Sequence, residues 1–136
     1  MKYALITGAS KGIGKALAIE IAKKKMGVLL VARSEELITA LCKDLKEKYQ
    51  IETDFLVLDL SQPEAPKEIF EWCQRKRFKV SVLINNAGYA VWGYFHKLPL
   101  DEQRNMMQLN MLSLVDLTHR MIPILLENKT SYILNV

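Results

Sequence analysis

Short apolar runs alternate with longer amphipathic stretches along the whole chain. The apolar runs lack the polar and apolar alternation of a half-exposed strand, a pattern typical of strands buried on both faces of a sheet. Five such runs are predicted to be strands: residues 3–7, 27–32, 54–60, 80–84 and 131–136.

The stretches between these runs have the three- and four-residue spacing of amphipathic helices. Helices are predicted over 12–26, 35–49, 61–77 and from about 99–101 to 126. Ser34 is a predicted N-cap, and Pro63 is typical of a helix start. The apolar side chains expected to share one face of a helix are Ile13, Leu17 and Ile21, then Leu37, Leu41 and Leu45, then Ile69, Trp72 and Cys73.

This order of elements predicts the fold class. Strands joined by helices of ten or more residues form parallel sheets covered on both faces. Because crossovers are right-handed, the sequence predicts an α/β fold with a Rossmann-like, doubly wound sheet of order 3-2-1-4-5. No repeat, low-complexity segment or linker interrupts it, so residues 1–136 are predicted to form a single domain.

Composition supports an ordered, soluble protein. Hydrophobic residues make up 50% of the chain and charged residues 25%. No 18 uninterrupted apolar residues occur, and the apolar N-terminal stretch is too short for a signal peptide, so a cytoplasmic protein without a membrane partner is expected.

Cys42 and Cys73 are predicted to be reduced structural thiols, and neither they nor His96 and His119 have metal-ligand spacing.

The net charge of +4 includes two basic runs, KKK at 23–25 and RKR at 75–77. Such runs occur on nucleic-acid-binding surfaces. Both fall where helices are predicted to end, however, and there cations stabilise the negative end of the helix dipole. The helix-end interpretation is favoured, and no nucleic-acid partner is expected.

The turn after the first predicted strand is rich in glycine. Gly8 supplies a turn that a residue with a Cβ resists, Gly12 allows the backbone to approach a phosphate, and Gly14 lets the helix approach the strand. The helix that follows presents free N–H groups and a positive dipole end, which favour a diphosphate. Ligands of doubly wound sheets bind at this edge, where the winding reverses.

Four sequence landmarks resemble those of the short-chain dehydrogenase/reductase family, in the same order. TGASKGIG from Thr7 to Gly14 is similar to the family's coenzyme signature, LDLS contains Asp59, NNAG occupies 85–88, and Asn110 follows in the long helix. The resemblance covers residues 2–136 and implies that this is the coenzyme-binding portion of a classical member.

The resemblance implies a dinucleotide site and, in the parent protein, hydride transfer between a nicotinamide and an alcohol or carbonyl substrate. Asp59 and Leu60 would contact the adenine, and Asn86, Ala87 and Gly88 the ribose and central cofactor. The implied coenzyme-binding residues are Gly8, Ser10, Lys11, Gly12, Ile13, Gly14, Arg33, Ser34, Asp59, Leu60, Asn86, Ala87 and Gly88. Asn85 and Asn86 could instead hydrogen-bond to backbone groups of the loop and tie them together.

The residue that ends the second predicted strand indicates which dinucleotide binds. A carboxylate there accepts hydrogen bonds from the NAD ribose, but this chain has Arg33 followed by Ser34. Lys11 adds a second cation, and one charge-assisted contact to the 2′-phosphate favours NADP over NAD by about ten- to a hundredfold. NADP(H) is therefore predicted; the alternative is that Arg33 stacks on adenine while Lys11 is solvated.

The family's acid–base pair is a Tyr-x-x-x-Lys. None of the five tyrosines of this chain has a lysine four residues later, so the pair is absent. Of the implied catalytic residues only Asn110 is present, and its alternative role is to cap or kink the long helix. The chain is therefore expected to be an incomplete dinucleotide-binding domain, truncated after the fifth strand and inactive alone. A catalytically silent dinucleotide-binding or interaction protein is the alternative function.

Two further features concern substrate and partners. Aromatic residues of the loop 88–100 border the implied substrate pocket or pack under the long helix. Three methionines in 106–111 suit an adaptable helix surface, and the helix 101–126 resembles the one through which family members form homo-oligomers. Core packing is the alternative for the methionines.

Overall fold

The computed structural model describes residues 1–136 and contains one parallel sheet of five strands in the predicted order β3-β2-β1-β4-β5. The strands are β1 Tyr3–Thr7, β2 Gly27–Ala32, β3 Thr53–Val57, β4 Val80–Asn85 and β5 Tyr132–Asn135. The predicted third strand, 54–60, was too long at its end. Beyond Val57 the chain turns at Asp59, whose carboxylate accepts hydrogen bonds from the Ser61 amide and hydroxyl.

The chain has five α-helices, and all except the fourth cover the two faces of the sheet. Their bounds are α1 Gly12–Lys23, α2 Glu35–Tyr49, α3 Ala65–Lys76, α4 Leu100–Met107 and α5 Ser113–Leu126. Alternate residues of β1 point to opposite cores, with Leu5 in the one beneath α3 and α5 and Ile6 in the one beneath α1 and α2. Both are fully buried, which explains the unbroken apolar runs.

The predicted apolar face of α1 was wrong at Ile13 and right only in part at Leu17 and Ile21, which are partly buried against the core. Gly14, Ala18 and Ala22 are the buried residues of this helix, whereas Ile13 is 61% exposed. The helix lies so close to the sheet that only small side chains fit between them, and the larger aliphatic residues lie at its flanks. Leu37 of α2 is also exposed, and Ile38 takes its place in the core.

The long helix predicted from about 99–101 to 126 is present but irregular. A π-helical segment, Gln108–Leu112, separates α4 from α5. Over Leu100–Leu126 the helix is long and apolar enough, by length and composition alone, to cross a membrane. Its second part, α5, packs on the sheet, with Leu117 and Met121 fully buried in the core, whereas α4 has no buried residue.

The buried face of α3 agrees with its prediction, since Ile69, Trp72 and Cys73 all lie in the core.

Cys42 and Cys73 are both free and buried, as predicted. Burial raises the pKa of the Cys42 thiol to about 11 and that of Cys73 to about 12. Neither thiol is therefore poised to react as a thiolate.

Candidate functional site

A cavity of about 650 Å³ opens at the carboxyl ends of the strands, where the winding of the sheet reverses. The structure brings twelve predicted site residues to its wall: Gly8, Ser10, Lys11, Ile13, Arg33, Ser34, Asp59, Leu60, Asn86, Ala87, Gly88 and Asn110. The predicted site residues Gly12 and Gly14 are not part of the wall. Residues from five separate regions of the sequence therefore meet in one open space.

The tight turn after β1 needs glycine at two positions for different reasons. Gly8 has a φ of +63°, and a Cβ on it would lie 2.9 Å from the Cα of Ala87. A Cβ on Gly14 would lie 2.3 Å from the carbonyl oxygen of Gly8. Both distances are too short for a side chain, so the glycines let α1 and the loop after β4 close around the turn.

The turn and the loop after β4 are joined by hydrogen bonds of Thr7 and Asn86. The Thr7 hydroxyl accepts from the backbone amides of Asn86 and Ala87, each at 3.0 Å. In return, the Asn86 side-chain amide donates to the carbonyl oxygens of Thr7 and Gly8, at 3.1 and 3.0 Å. This cross-link fixes one wall of the cavity, and the part played by Thr7 was not predicted from the sequence.

The helix that starts under the cavity has no cap of its own. No side chain caps α1 at Lys11, and its first turn contains no acidic residue. In contrast, α2 is capped by the Ser34 hydroxyl and carries Glu35 and Glu36 in its first turn. The free amides and positive dipole end of α1 are therefore available to an anion in the cavity.

Two cations and one carboxylate, from three different loops, lie at the cavity wall. Arg33 follows the last residue of β2, and Lys11 lies in the glycine turn. Partial burial raises the pKa of Asp59, but hydrogen bonds from Ser61 and the attraction of Arg33 outweigh it, so the pKa is lowered. Asp59 is therefore an acceptor-only group at neutral pH, and no acidic residue stands directly after β2.

Asn110 lies in the π-helical segment and holds the loop after β4. Its side-chain oxygen accepts from the Tyr89 amide at 3.1 Å, and its side-chain nitrogen donates to the Tyr89 carbonyl at 2.7 Å. The Tyr89 hydroxyl accepts from Asn105 of α4 at 2.7 Å. The side chain of Asn110 caps no helix end. Asn110 lies in the π-helical distortion between α4 and α5, and its amide bonds the loop instead.

Apolar residues complete the wall and were not predicted as site residues: Leu37, Leu58, Leu109, Leu114 and Val136. Their position at strand ends and on exposed helix faces has no separate signal in the sequence. Thr7 did have one. A hydroxyl at the end of a fully buried strand requires a hydrogen-bond partner, and the nearest candidate was the next loop at the same edge.

Comparison with known proteins identifies the family. Residues 2–136 match the model of the short chain dehydrogenase family. The chain belongs to this family. Its coenzyme-signature turn, the NNAG loop and Asn110 all lie around the cavity described above.

Three similar proteins illustrate the family. Hydroxysteroid dehydrogenase-like protein 1 of Gallus gallus is 35% identical over 99% of this chain and 41% of its own length. The NADP-dependent 3-hydroxy acid dehydrogenase of Schizosaccharomyces pombe is 36% identical over 99% of this chain and 53% of its length. The short-chain dehydrogenase from Sphingobium yanoikuyae, solved with NADPH, is 30% identical with a TM-score of 0.91, over 99% of this chain and 52% of that one. The chain spans about half the length of these family members.

Proposed function

We propose that this chain is the coenzyme-binding part of an NADP(H)-dependent oxidoreductase that interconverts an alcohol and a carbonyl compound. One observation carries the proposal. The uncapped start of α1 shares a cavity with Arg33 and Lys11, and no carboxylate directly follows β2. That combination suits a diphosphate together with an additional phosphate on the ribose.

Different residues would bind different parts of the coenzyme. Free amides at the start of α1 would hold the diphosphate, and Arg33 with Lys11 would bind the 2′-phosphate. Asp59 and Leu60 would contact the adenine, while the small Ala87 and Gly88 would leave room along the loop backbone; all four lie at the cavity wall. When bound, the nicotinamide supplies or accepts the hydride.

Asn110 acts in this proposal as a positioning residue. Both ends of its side-chain amide are hydrogen-bonded to the Tyr89 backbone. A Cβ on Gly88 would lie 3.0 Å from the Asn110 side-chain oxygen, so the NNAG loop lies directly against it. Asn110 thereby sets the position of the loop that borders the coenzyme.

This chain contains no Tyr-x-x-x-Lys, so we propose that it binds coenzyme without turnover and that a longer parent carries out the reaction. The test is a fluorescence titration of the full chain with NADPH, alongside an assay for coenzyme oxidation with carbonyl substrates. Saturable binding without turnover is the expected result. Absence of NADPH binding would overturn the proposal, and a parent that binds coenzyme without turnover would favour the silent alternative.

We also propose that the protein forms a homo-oligomer through the helix 101–126. Its outer face exposes large apolar side chains: Met107, Met111, Leu112, Val115, Ile122 and Leu126. Apolar patches of this kind on a soluble protein mark contact surfaces. A second copy presents the same face and can cover it with twofold symmetry.

A further inference from the structure

The end of the sheet opposite the cavity, where the strands begin, is strongly basic. Five segments meet there, before the strands that they lead into: residues 1–2, 23–26, 46–52, 74–79 and 127–131. These segments, here called the basic end, contain eleven of the chain's 19 Lys and Arg: Lys2, Lys23, Lys24, Lys25, Lys46, Lys48, Arg75, Lys76, Arg77, Lys79 and Lys129. All eleven are exposed, and the acidic residues among them are Glu47, Glu52 and Glu127. Because the whole chain carries only +4, the rest of the molecule is net negative.

Two backbone hydrogen bonds and one from a lysine side chain hold these segments side by side. The Tyr3 amide donates to the Lys79 carbonyl and the Gly27 amide to the Lys2 carbonyl, both at 3.0 Å. The Lys25 ammonium donates to the Tyr49 carbonyl at 2.8 Å. The like charges therefore belong to one continuous surface.

Few of these cations are neutralised within the molecule. Lys23 pairs with Glu20, and Lys76 pairs with Asp54 at 3.5 Å. The other nine have no carboxylate within ion-pair distance. Most of the positive charge of the basic end is thus directed at solvent.

Two of the cations occupy backbone positions that normally favour glycine. Lys25 follows α1 with a φ of +60°, and Arg77 follows α3 with a φ of +56°. At such left-handed positions after a helix, glycine is the common residue because a Cβ is strained there. The helix dipole explains cations at helix ends. It does not explain Lys2 and Lys79, which stand directly before strands.

We propose that the basic end docks on the surface of a membrane that contains anionic lipids. Attraction between a polybasic surface and anionic headgroups needs many cations on one side of a molecule, which is the arrangement found here. The chain would lie on the membrane without entering it. This proposal differs from the expectation from sequence, where the same runs were interpreted only as helix-end charges.

Nucleic acid fits the same surface less well. Helices α1, α2 and α3 direct their carboxyl ends toward it, so no helix start offers free amides to individual phosphates. Of the aromatic residues nearby, Tyr3 is buried and Phe78 packs edge to face on Trp72, which leaves only the half-buried Tyr49 and the exposed Tyr132 to stack on bases. The remaining attraction is diffuse and electrostatic, which a lipid surface satisfies.

This orientation would leave the coenzyme cavity accessible. The cavity lies at the other edge of the sheet, separated from the basic end by strands of four to six residues, or about 13–20 Å. A membrane-bound molecule would thus keep the cavity toward the aqueous phase. The inference is independent of the proposed function, because it uses none of the cavity residues.

The test is co-sedimentation of the full chain with vesicles of phosphatidylcholine alone or with added phosphatidylserine, at low and high ionic strength. Binding is expected only with phosphatidylserine, and it should be lost at high ionic strength. The double variant Lys25→Gly/Arg77→Gly removes two cations while relieving the left-handed backbone, so folding is preserved. Its affinity should fall about fivefold for each cation removed.

Lys67→Gln/Lys97→Gln is the matched control, since it removes the same charge from exposed residues away from the basic end. It should bind anionic vesicles like the wild type. No binding to phosphatidylserine vesicles, or equal weakening by both double variants, would overturn the proposal. Tighter binding to a DNA duplex than to these vesicles would replace it with the nucleic-acid interpretation.

Discussion

Asn110 and Tyr89 are joined by two hydrogen bonds between one side chain and one backbone unit, at 3.1 and 2.7 Å. The pairing resembles a rung of a sheet ladder, with the asparagine amide in place of a second strand. It is available because the π-helical segment Gln108–Leu112 widens the helix at this point. The long helix thereby sets the position of the loop that follows β4.

Replacing Asn110 should loosen this loop. Asn110→Asp keeps an acceptor for the Tyr89 amide but places a carboxylate against the Tyr89 carbonyl, so the free energy of unfolding should fall by about 1–3 kcal/mol. Urea denaturation measures the loss, and NADPH titration should show weaker binding. Asn105→Ala, which removes only the exposed bond to the Tyr89 hydroxyl, should cost less. Equal stability of Asn110→Asp and wild type would argue against the positioning role.

Thr7 joins the glycine turn to the NNAG loop through its hydroxyl. Thr7→Val preserves the shape but leaves the amides of Asn86 and Ala87 without their acceptor, and each unpaired buried group costs about 1–3 kcal/mol. Thr7→Ser keeps the hydroxyl and is the control. Chemical denaturation of both should show the larger loss for valine, together with weaker coenzyme binding. A valine variant as stable as the serine variant would show that water satisfies these amides.

Tyr3 should make stability sensitive to alkaline pH. Burial, followed by its hydrogen bond to the Glu52 carboxylate, raises the pKa of Tyr3 from 10.0 to about 12. Between those values the unfolded chain releases the phenol proton while the native chain keeps it, so stability falls as pH rises. Urea midpoints measured from pH 9 to 12 should therefore fall more steeply in wild type than in Tyr3→Phe. Parallel curves for the two proteins would disprove the shift.

The exposed face of the helix 101–126 should control the oligomeric state. Met111 and Val115 are 59% and 64% exposed, and glutamate at both positions would place charge in the contact. Light scattering coupled to size exclusion should show an oligomer for wild type and a monomer for Met111→Glu/Val115→Glu. Lys43→Glu, on the exposed side of α2, should leave the mass unchanged. A monomeric wild type, or an oligomer that survives the double variant, would refute this interface.

The sheet could be predicted from sequence because its strands are buried on both faces. β2 shows this clearly, since all six of its residues are buried and the apolar run has the same bounds as the strand. The inward face of α1 could not be predicted from hydrophobicity. Close packing of helix on sheet selects the small Gly14, Ala18 and Ala22, and periodicity gives more weight to the larger Ile13.

Most of the cavity wall could likewise be placed from motifs, because glycines and polar residues follow consecutive strands at one edge. The partner of Thr7 and the π-helical turn at Asn110 could not, although burial of the Thr7 hydroxyl indicates that it needs some hydrogen-bond partner. Both depend on contacts between residues far apart in sequence, as the bond between Thr7 and the Asn86 amide shows. Local propensity contains no information about such contacts.

Coenzyme discrimination by Arg33 is the most direct test of the proposed function. Fluorescence titrations of the full chain with NADPH and NADH should give about ten- to a hundredfold tighter binding of NADPH in wild type. Arg33→Asp should abolish that preference, while Lys67→Asp, an equal change of charge outside the cavity, should retain it. An unchanged NADPH preference in Arg33→Asp would contradict the account.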